Sequence, residues 1–336
     1  MEILVTGGAG YIGTHTILAL LEQGHNIVVV DNFSNSKPEV ISRVKELAWR
    51  DFPFYEMDMR DSRQLGRVFE EHDIDCVIHF AGLKAVGESV VLPLEYYSNN
   101  LNSTIILCDT MKKYNVKKII FSSSATVYNA NNEMPLTENS NTGGCTNPYG
   151  WTKFMCEQII TDTVNANEDW SAVLLRYFNP VGAHESGRIG EDPRDVPNNL
   201  MPYIAQTAVG RLPYLNVYGD DYDTPDGTGI RDYIHVEDLA TGHAAAIKYI
   251  KTRKGVNIIN LGTGKGVSVL ELISAFEEAT GVKIKKKIAP RRPGDIAVCF
   301  ASTEKAQKEL KWKAGKTLAD ACADSWRWQK NNPNGY

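Results

Sequence analysis

The sequence predicts an α/β fold, a Rossmann-type doubly wound parallel sheet joined to a smaller mixed α/β C-terminal substrate domain. Three observations carry that expectation. A glycine-rich turn, Gly7-Gly8-Ala9-Gly10-Tyr11-Ile12-Gly13, follows a short apolar run and opens a helical stretch. Buried runs and amphipathic stretches then alternate as far as Tyr177. Beyond Asn179-Pro180 the alternation stops, broken by Asp192-Pro193, Val196-Pro197, Leu212-Pro213 and Thr224-Pro225-Asp226-Gly227. A chain of 336 residues also exceeds one ordinary core. The expected division is 1–180, with returning segments near 233–262, and 181–336.

The elements follow in order. Glu2 to Thr6 reads as a strand, the glycine turn leads into a helix to about Glu22, and the run Ile27 to Val30 ends in Asp31. In such a unit the glycines permit a tight turn, close approach of a pyrophosphate and close helix–strand packing. The helix N-terminus presents N–H groups and a positive dipole end to the phosphates. Asp31 accepts from a ribose 2′-OH and repels a 2′-phosphate, which favours NAD over NADP. Phe54 to Met57 is the next strand, and Asp61 to Glu71 a helix with Asp61 as N-cap. Cys76 to Phe80 is a strand. Pro93 to Tyr114 is a long helix in which Leu94, Tyr97, Leu101, Ile105, Cys108 and Met111 recur at helical intervals, as on a core-facing stripe; for its other apolar residues burial in the core is expected over the alternative of a subunit interface. Lys118 to Ser122 and Ala172 to Leu175 are strands flanking the helix that begins at Pro148. A helix over 236–250 and a strand over 257–260 are expected to return to the first domain. Gly262-Thr263-Gly264-Lys265-Gly266 lacks P-loop spacing, and the capping box Ser268 to Glu271 makes it a strand–turn–helix connection. Lys283 to Lys287 reads as a solvated strand face.

Composition narrows the function. With 43% apolar and 23% charged residues the chain is that of a soluble globular protein. A net charge of −5 argues against a nucleic-acid partner held by a general basic field. Met1 runs almost directly into the first strand, leaving no room for a signal peptide, and no apolar run approaches a membrane span. The six cysteines show no CxxC and no regular framework, which fits free thiols in the cytoplasm. No metal site is expected, since His184-Glu185 lacks a second His at metalloprotease spacing.

Tyr149 and Lys153 stand at i and i+4 as a helix begins, so they share one face. A Lys ammonium beside a phenol favours phenolate and makes Tyr149 a candidate general base. Ser124 ends a strand nearby. This set, behind the Gly7/Gly10/Gly13 turn, resembles the extended branch of the short-chain dehydrogenase/reductase superfamily. His79-Phe80-Ala81-Gly82, Arg176-Tyr177-Phe178-Asn179, the run 227–236 and the run 289–295 are similar to its UDP-hexose 4-epimerase members.

That resemblance implies an isomerase with tightly bound NAD, which oxidises C4 of a UDP-hexose transiently, lets the 4-keto sugar turn, and returns hydride to its other face. Tyr149 would be the base, Ser124 a hydrogen-bond partner of the 4-oxygen, and Lys153 a ribose ligand that lowers the Tyr149 pKa. A shift from about 10 to about 7 is roughly 4 kcal/mol. An exposed ion pair supplies less, so the positive nicotinamide ring is expected to contribute. The implied cofactor contacts are Gly7, Gly10, Tyr11, Ile12, Gly13, Asp31, Asn32, Asp58, Met59, Phe80, Ala81, Gly82, Lys84, Asn99, Tyr149, Lys153 and Phe178. The implied substrate contacts are Ser124, Asn179, Asn199, Leu200, Asn216, Tyr218, Arg231, Arg292, Asp295 and Cys299. Arg231 and Arg292 would clamp the diphosphate and Asp295 the ribose. Family members often carry a bulky Tyr beside the hexose at the Cys299 position. The small residue here implies room for N-acetylated sugars. A homodimer is implied as well.

Rival readings share the scaffold. A 4,6-dehydratase needs the acidic pair that its relatives place after the catalytic Ser or Thr, where this chain has Ala125-Thr126. A sugar dehydrogenase needs exchangeable NAD. A non-catalytic NAD(H) sensor would have no use for Tyr149 and Lys153 together.

Overall fold

The computed structural model describes residues 1–194, 197, 199–292 and 294–336; Val196 and Pro293 lie outside them. Seven strands form one parallel sheet. Across it the order is Gly255–Leu261, Ser171–Tyr177, Lys118–Ser124, Cys76–His79, Glu2–Thr6, Asn26–Asp31 and Phe54–Glu56. The chain winds outward one way from Glu2–Thr6, then crosses and winds the other way from Cys76–His79. The reversal leaves a crevice beyond the C-terminal ends of those two strands, where an open α/β sheet binds ligands.

Strand periodicity builds the two layers. Ile3 and Val5 face one side and pack with the helices Tyr11–Glu22, Glu39–Ala48 and Val236–Ile250. Leu4 faces the other and packs with Ser62–Glu71, Pro93–Lys113 and Pro148–Asn165. Each such side chain, wholly removed from water, contributes roughly 1.5–3 kcal/mol. Asp61 caps its helix by accepting from the N–H groups of Arg63 and Gln64, both at 3.0 Å.

The smaller unit has its own core of Ile204, Val217, Leu272, Phe276 and Cys322. Two short parallel strands, Leu215–Tyr218 and Lys286–Ala289, pair there, and the helices Leu200–Ala208, Val269–Thr280 and Leu318–Asn331 cover it. The 262–266 glycine loop is a structural turn. Buried Asp232 accepts from Thr263 N at 2.8 Å, Gly264 N at 3.0 Å and Ala301 N at 3.2 Å, so its carboxylate is consumed in holding the loop.

One expectation about packing is corrected. On Pro93–Lys113 the residues Leu94 and Ile105 point outward, Leu94 at 81% exposure. The buried face carries Tyr96, Asn100, Ser103, Thr104, Leu107 and Met111. It admits polar groups because they are bonded: Asn100 accepts from Leu83 N at 2.8 Å and donates to Leu83 O at 3.0 Å and Thr152 Oγ1 at 2.9 Å. Hydrophobic periodicity therefore picked part of the wrong face. Most strands also run a residue or more beyond the apolar runs that announced them, as in Lys118–Ser124 and Ser171–Tyr177. No described helix is long and apolar enough to cross a membrane.

Candidate active site

Gly7 stands at the crevice with φ +69°, and a Cβ there would lie 2.5 Å from Ala81 N. The turn can therefore pass between two strand ends only as glycine. A Cβ on Gly13 would lie 2.7 Å from Gly7 O, so the helix starts hard against the turn. The helix itself begins at Tyr11, with Gly10 as N-cap and no side chain satisfying its first N–H groups. Asp31, at the end of the neighbouring strand, accepts from Ala9 N at 3.0 Å and Phe33 N at 2.8 Å. Burial raises its pKa, and these N–H groups oppose the rise. The free helix end, the bare glycine backbone and the acid beside them fit a dinucleotide: phosphate over the N–H groups, ribose hydroxyls at Asp31.

All of the expected cofactor residues line a single cleft of about 310 Å³, and so do Ser124, Asn179 and Asn199. That volume is in the range of small-molecule sites. Several of these groups already have partners. Asp58 is gripped by Arg60 at 2.7 and 3.0 Å. Lys84 donates to Glu191 at 2.9 Å, and Asn199 donates to the same oxygen at 2.9 Å.

Asn147 caps the Tyr149 helix, accepting from Gly150 N at 2.9 Å, and Pro148 occupies the first turn. Gly150 lies so close to Thr126 O that a Cβ would stand 2.9 Å from it. That approach brings Tyr149 to the end of the Ser124 strand. Thr126 donates to Ser124 Oγ from its hydroxyl at 3.0 Å and its N–H at 3.2 Å. Ser124 is thereby free to donate its own proton to an oxygen in the cleft.

The expectation that Lys153 lowers the Tyr149 pKa is not met in the protein alone. Lys153 is 6% exposed and donates to Ser122 O at 2.6 Å, with Nζ 6.0 Å from the Tyr149 ring centre. Burial pushes the Tyr149 phenol up to about 12, against a smaller opposite pull from Ser124. Burial likewise brings Lys153 down to about 8. Desolvation outweighs the pair interaction because both groups sit inside the wall.

The remaining expected substrate residues, Leu200, Asn216, Tyr218, Arg231, Arg292, Asp295 and Cys299, are not on the wall of this cleft. Arg292 lies over the Tyr218 ring, 5.1 Å from its centre, and pairs with Asp295 at 2.9 Å. Arg231 donates to Ile230 O at 2.8 Å. Cys299 is aligned with Arg231 in a short parallel pair and packs against the cluster of Phe178, Tyr128 and Leu136. Burial raises its thiol pKa to about 11.

Sequence reasoning missed part of the cleft. Ser34, Asn35 and Ser36 line it, as do Glu191, Asp192 and Tyr336. The first three follow Asp31 directly, and a polar turn just past a strand end was the available signal. Nothing local marks Glu191 or Tyr336, which come from far along the chain.

Residues 3–262 match the model of the NAD dependent epimerase/dehydratase family. The chain is 59% identical over 336 residues to the UDP-glucose 4-epimerase of Bacillus subtilis, covering all of this chain and 99% of that one. It is 56% identical over 341 residues to the human UDP-glucose 4-epimerase, covering 98% of it. A crystal structure of UDP-glucose 4-epimerase from Bifidobacterium longum with NAD+ and UDP superposes with a TM-score of 0.98 at 58% identity, each chain covered in full.

Proposed function

The chain belongs to the NAD dependent epimerase/dehydratase family, and from that premise we propose that it interconverts UDP-glucose and UDP-galactose by inverting C4. It is an isomerase, and its cofactor is NAD. The observation that carries the reading is the joining of Ser124, Tyr149 and Lys153 to the Gly7 turn and Asp31 in one cleft. When bound, NAD accepts and returns the C4 hydride, so the reaction has no net redox change.

The chain's own residues do the rest. Tyr149 removes the 4-OH proton and gives it back, while the Ser124 hydroxyl holds the 4-oxygen. Tyr149 alone is a poor base, its pKa pushed up to about 12. Lys153, still protonated below its own pKa of about 8, supplies the cation that favours phenolate, together with the charge of the oxidised nicotinamide. Elimination is not supported: at the positions a dehydratase fills with acids, Ala125 offers no proton and Thr126 is bonded to Ser124.

For inversion the hexose must turn while the nucleotide stays fixed, so binding energy belongs on UDP, remote from C4. Arg231, Arg292, Tyr218 and Asp295, with Asn179, Asn199, Leu200 and Asn216, are the residues we assign to that hold. The Arg292–Asp295 pair does not obstruct it. Arg292 is 53% exposed, and an ion pair of that exposure is worth only about 0–1 kcal/mol. A diphosphate displaces it at small cost.

Val90, Val91, Leu94, Ile105 and Met155 are exposed apolar side chains, Val91 at 76%. We assign them to a homodimer interface. The six unpaired cysteines suit a reducing compartment, and we place the protein in the cytoplasm.

Tyr149→Phe is expected to lower kcat by about 10²–10⁴ while NAD remains bound after gel filtration; a wild-type rate would remove Tyr149 from the mechanism. Because Cys299 is small where family members often carry a bulky Tyr, UDP-N-acetylglucosamine and UDP-N-acetylgalactosamine are expected to be interconverted too. Cys299→Tyr should cut that turnover roughly tenfold or more and spare the plain sugars. An acetylated pair that wild type ignores, or that the variant still turns over, rules the gate out. Sedimentation should give twice the monomer mass, and Leu94→Asp should yield monomer; a monomeric wild type would contradict the interface.

A further inference from the structure

Glu157 lies four residues beyond Lys153 on the same helix, so both project from one face. It is 6% exposed, and its partner Arg176 is 3% exposed. Arg176 Nε donates to Glu157 Oε1 at 2.9 Å and Nη2 donates to Oε2 at 2.7 Å, a bidentate pair. The Ser123 hydroxyl donates to Oε1 at 2.5 Å. One carboxylate therefore ties the Tyr149 helix to two strands: beside Ser124 on Lys118–Ser124, and beside Tyr177 on Ser171–Tyr177. The tie continues outward. The Arg176 guanidinium lies 4.6 Å from the Tyr128 ring centre, and Tyr128 donates to Asn260 Oδ1 at 2.6 Å on the next strand.

A buried ion pair is weak evidence for stability, because apolar side chains of like volume hold a core as well. Location gives this pair another use. The titratable groups around Lys153 are Tyr149, Cys156 and Glu157 on its own helix, His79 on Cys76–His79, and Tyr177 and Arg176 on Ser171–Tyr177. The strand Lys118–Ser124 offers only the Phe121 ring and the Ser122 carbonyl. The packed face of Pro93–Lys113 offers Asn100 and Thr104, both uncharged, with the Tyr96 phenol and the Cys108 thiol, which burial pushes up and keeps neutral near pH 7. Burial holds His79 down at about 3 and pushes Cys156 and Tyr177 up, so all three are neutral near pH 7. Among the described residues in this set, Glu157 is the anion on the Lys153 side, and it also neutralises Arg176.

We infer that Glu157 is a positioning residue for the C4 chemistry: it sets the Tyr149 helix against the Ser124 strand through Ser123 and Arg176, and its charge keeps Lys153 protonated beside Tyr149. The inference rests on the Tyr149–Lys153 reading above. The sign follows from the neighbours. Cys156 and then Glu157 oppose the burial that brings Lys153 down, and Cys156, itself pushed up by burial, is neutral near pH 7. Without the carboxylate, burial and an uncompensated Arg176 both push Lys153 lower still. Lys153 then loses its proton at lower pH, and the alkaline limb of the kcat profile moves down.

The test compares Glu157→Gln and Ser123→Ala with wild type in kcat and KM for UDP-galactose across pH, in NAD bound per chain after gel filtration, and in Tm. Glu157→Gln is expected to lower kcat about tenfold near pH 8, to leave KM and NAD content unchanged, and to move the alkaline limb down by about one pH unit. Ser123→Ala removes a neutral arm, so it lowers kcat and leaves the limb in place. A Glu157→Gln enzyme with the wild-type limb overturns the inference whatever its Tm, since a merely structural residue would move Tm alone. Where Glu157→Gln does not fold, an unchanged kcat in Ser123→Ala overturns it. Tyr149→Phe keeps the two failures apart. Retained activity there defeats the underlying reading, whereas an inactive Tyr149→Phe with an unmoved Glu157→Gln limb defeats only the role of Glu157.

Discussion

The site depends on keeping a lysine charged inside a protein wall. Lys153 is buried, and burial brings it down to about 8. It stays cationic at neutral pH by a narrow margin. The Ser122 carbonyl accepts from it at 2.6 Å, the Phe121 ring lies 4.8 Å below it, and Glu157 stands one turn away. The same burial makes Tyr149 a reluctant base. In the proposed mechanism, chemistry at C4 requires two desolvated groups to offset each other: the phenol becomes an anion only where the ammonium remains a cation. An exposed pair would be screened and worth little. A buried one is costly to assemble and strong once assembled.

The fold meets that requirement through backbone proximity. The strand order reverses at Glu2–Thr6 and Cys76–His79, so the Gly7 turn and the Phe80–Gly82 segment meet with no side chain between them. The Tyr149 helix approaches from the other side, with Gly150 against Thr126 O. Glycine at these two contacts lets the Gly7 turn and Tyr149 line one cleft. Glu191 and Asn199, far along the chain from the glycine turn, line the same cleft, where Lys84 and Asn199 both donate to Glu191.

What the sequence disclosed and what it withheld divide along the range of the interactions. The glycine turn, Asp31, the Asp61 cap, the Ser268 capping box and the Tyr149–Lys153 spacing are local patterns with local causes, and each stands where it was expected. Leu94 and Ile105 depart from the expectation because hydrophobicity alone does not tell a core face from an exposed one. The buried face of their helix is held by Asn100, whose partners are far away in the chain. The Tyr149 pKa was misjudged for a related reason: spacing gives a neighbour but not the solvent that both neighbours lose. Arg176 stands in a recognisable motif, but its pairing with Glu157 is not legible in the sequence, because it is a contact between a strand and a helix.

In the proposed reaction one cleft inverts C4 and leaves the cofactor as it found it. The most direct measurement is incubation of the purified protein with UDP-galactose, without added reductant, followed by separation of the products and assay of free NADH. UDP-glucose should appear and approach equilibrium while no free NADH accumulates. A keto or dehydrated sugar, stoichiometric NADH in solution, or unchanged UDP-galactose would contradict it.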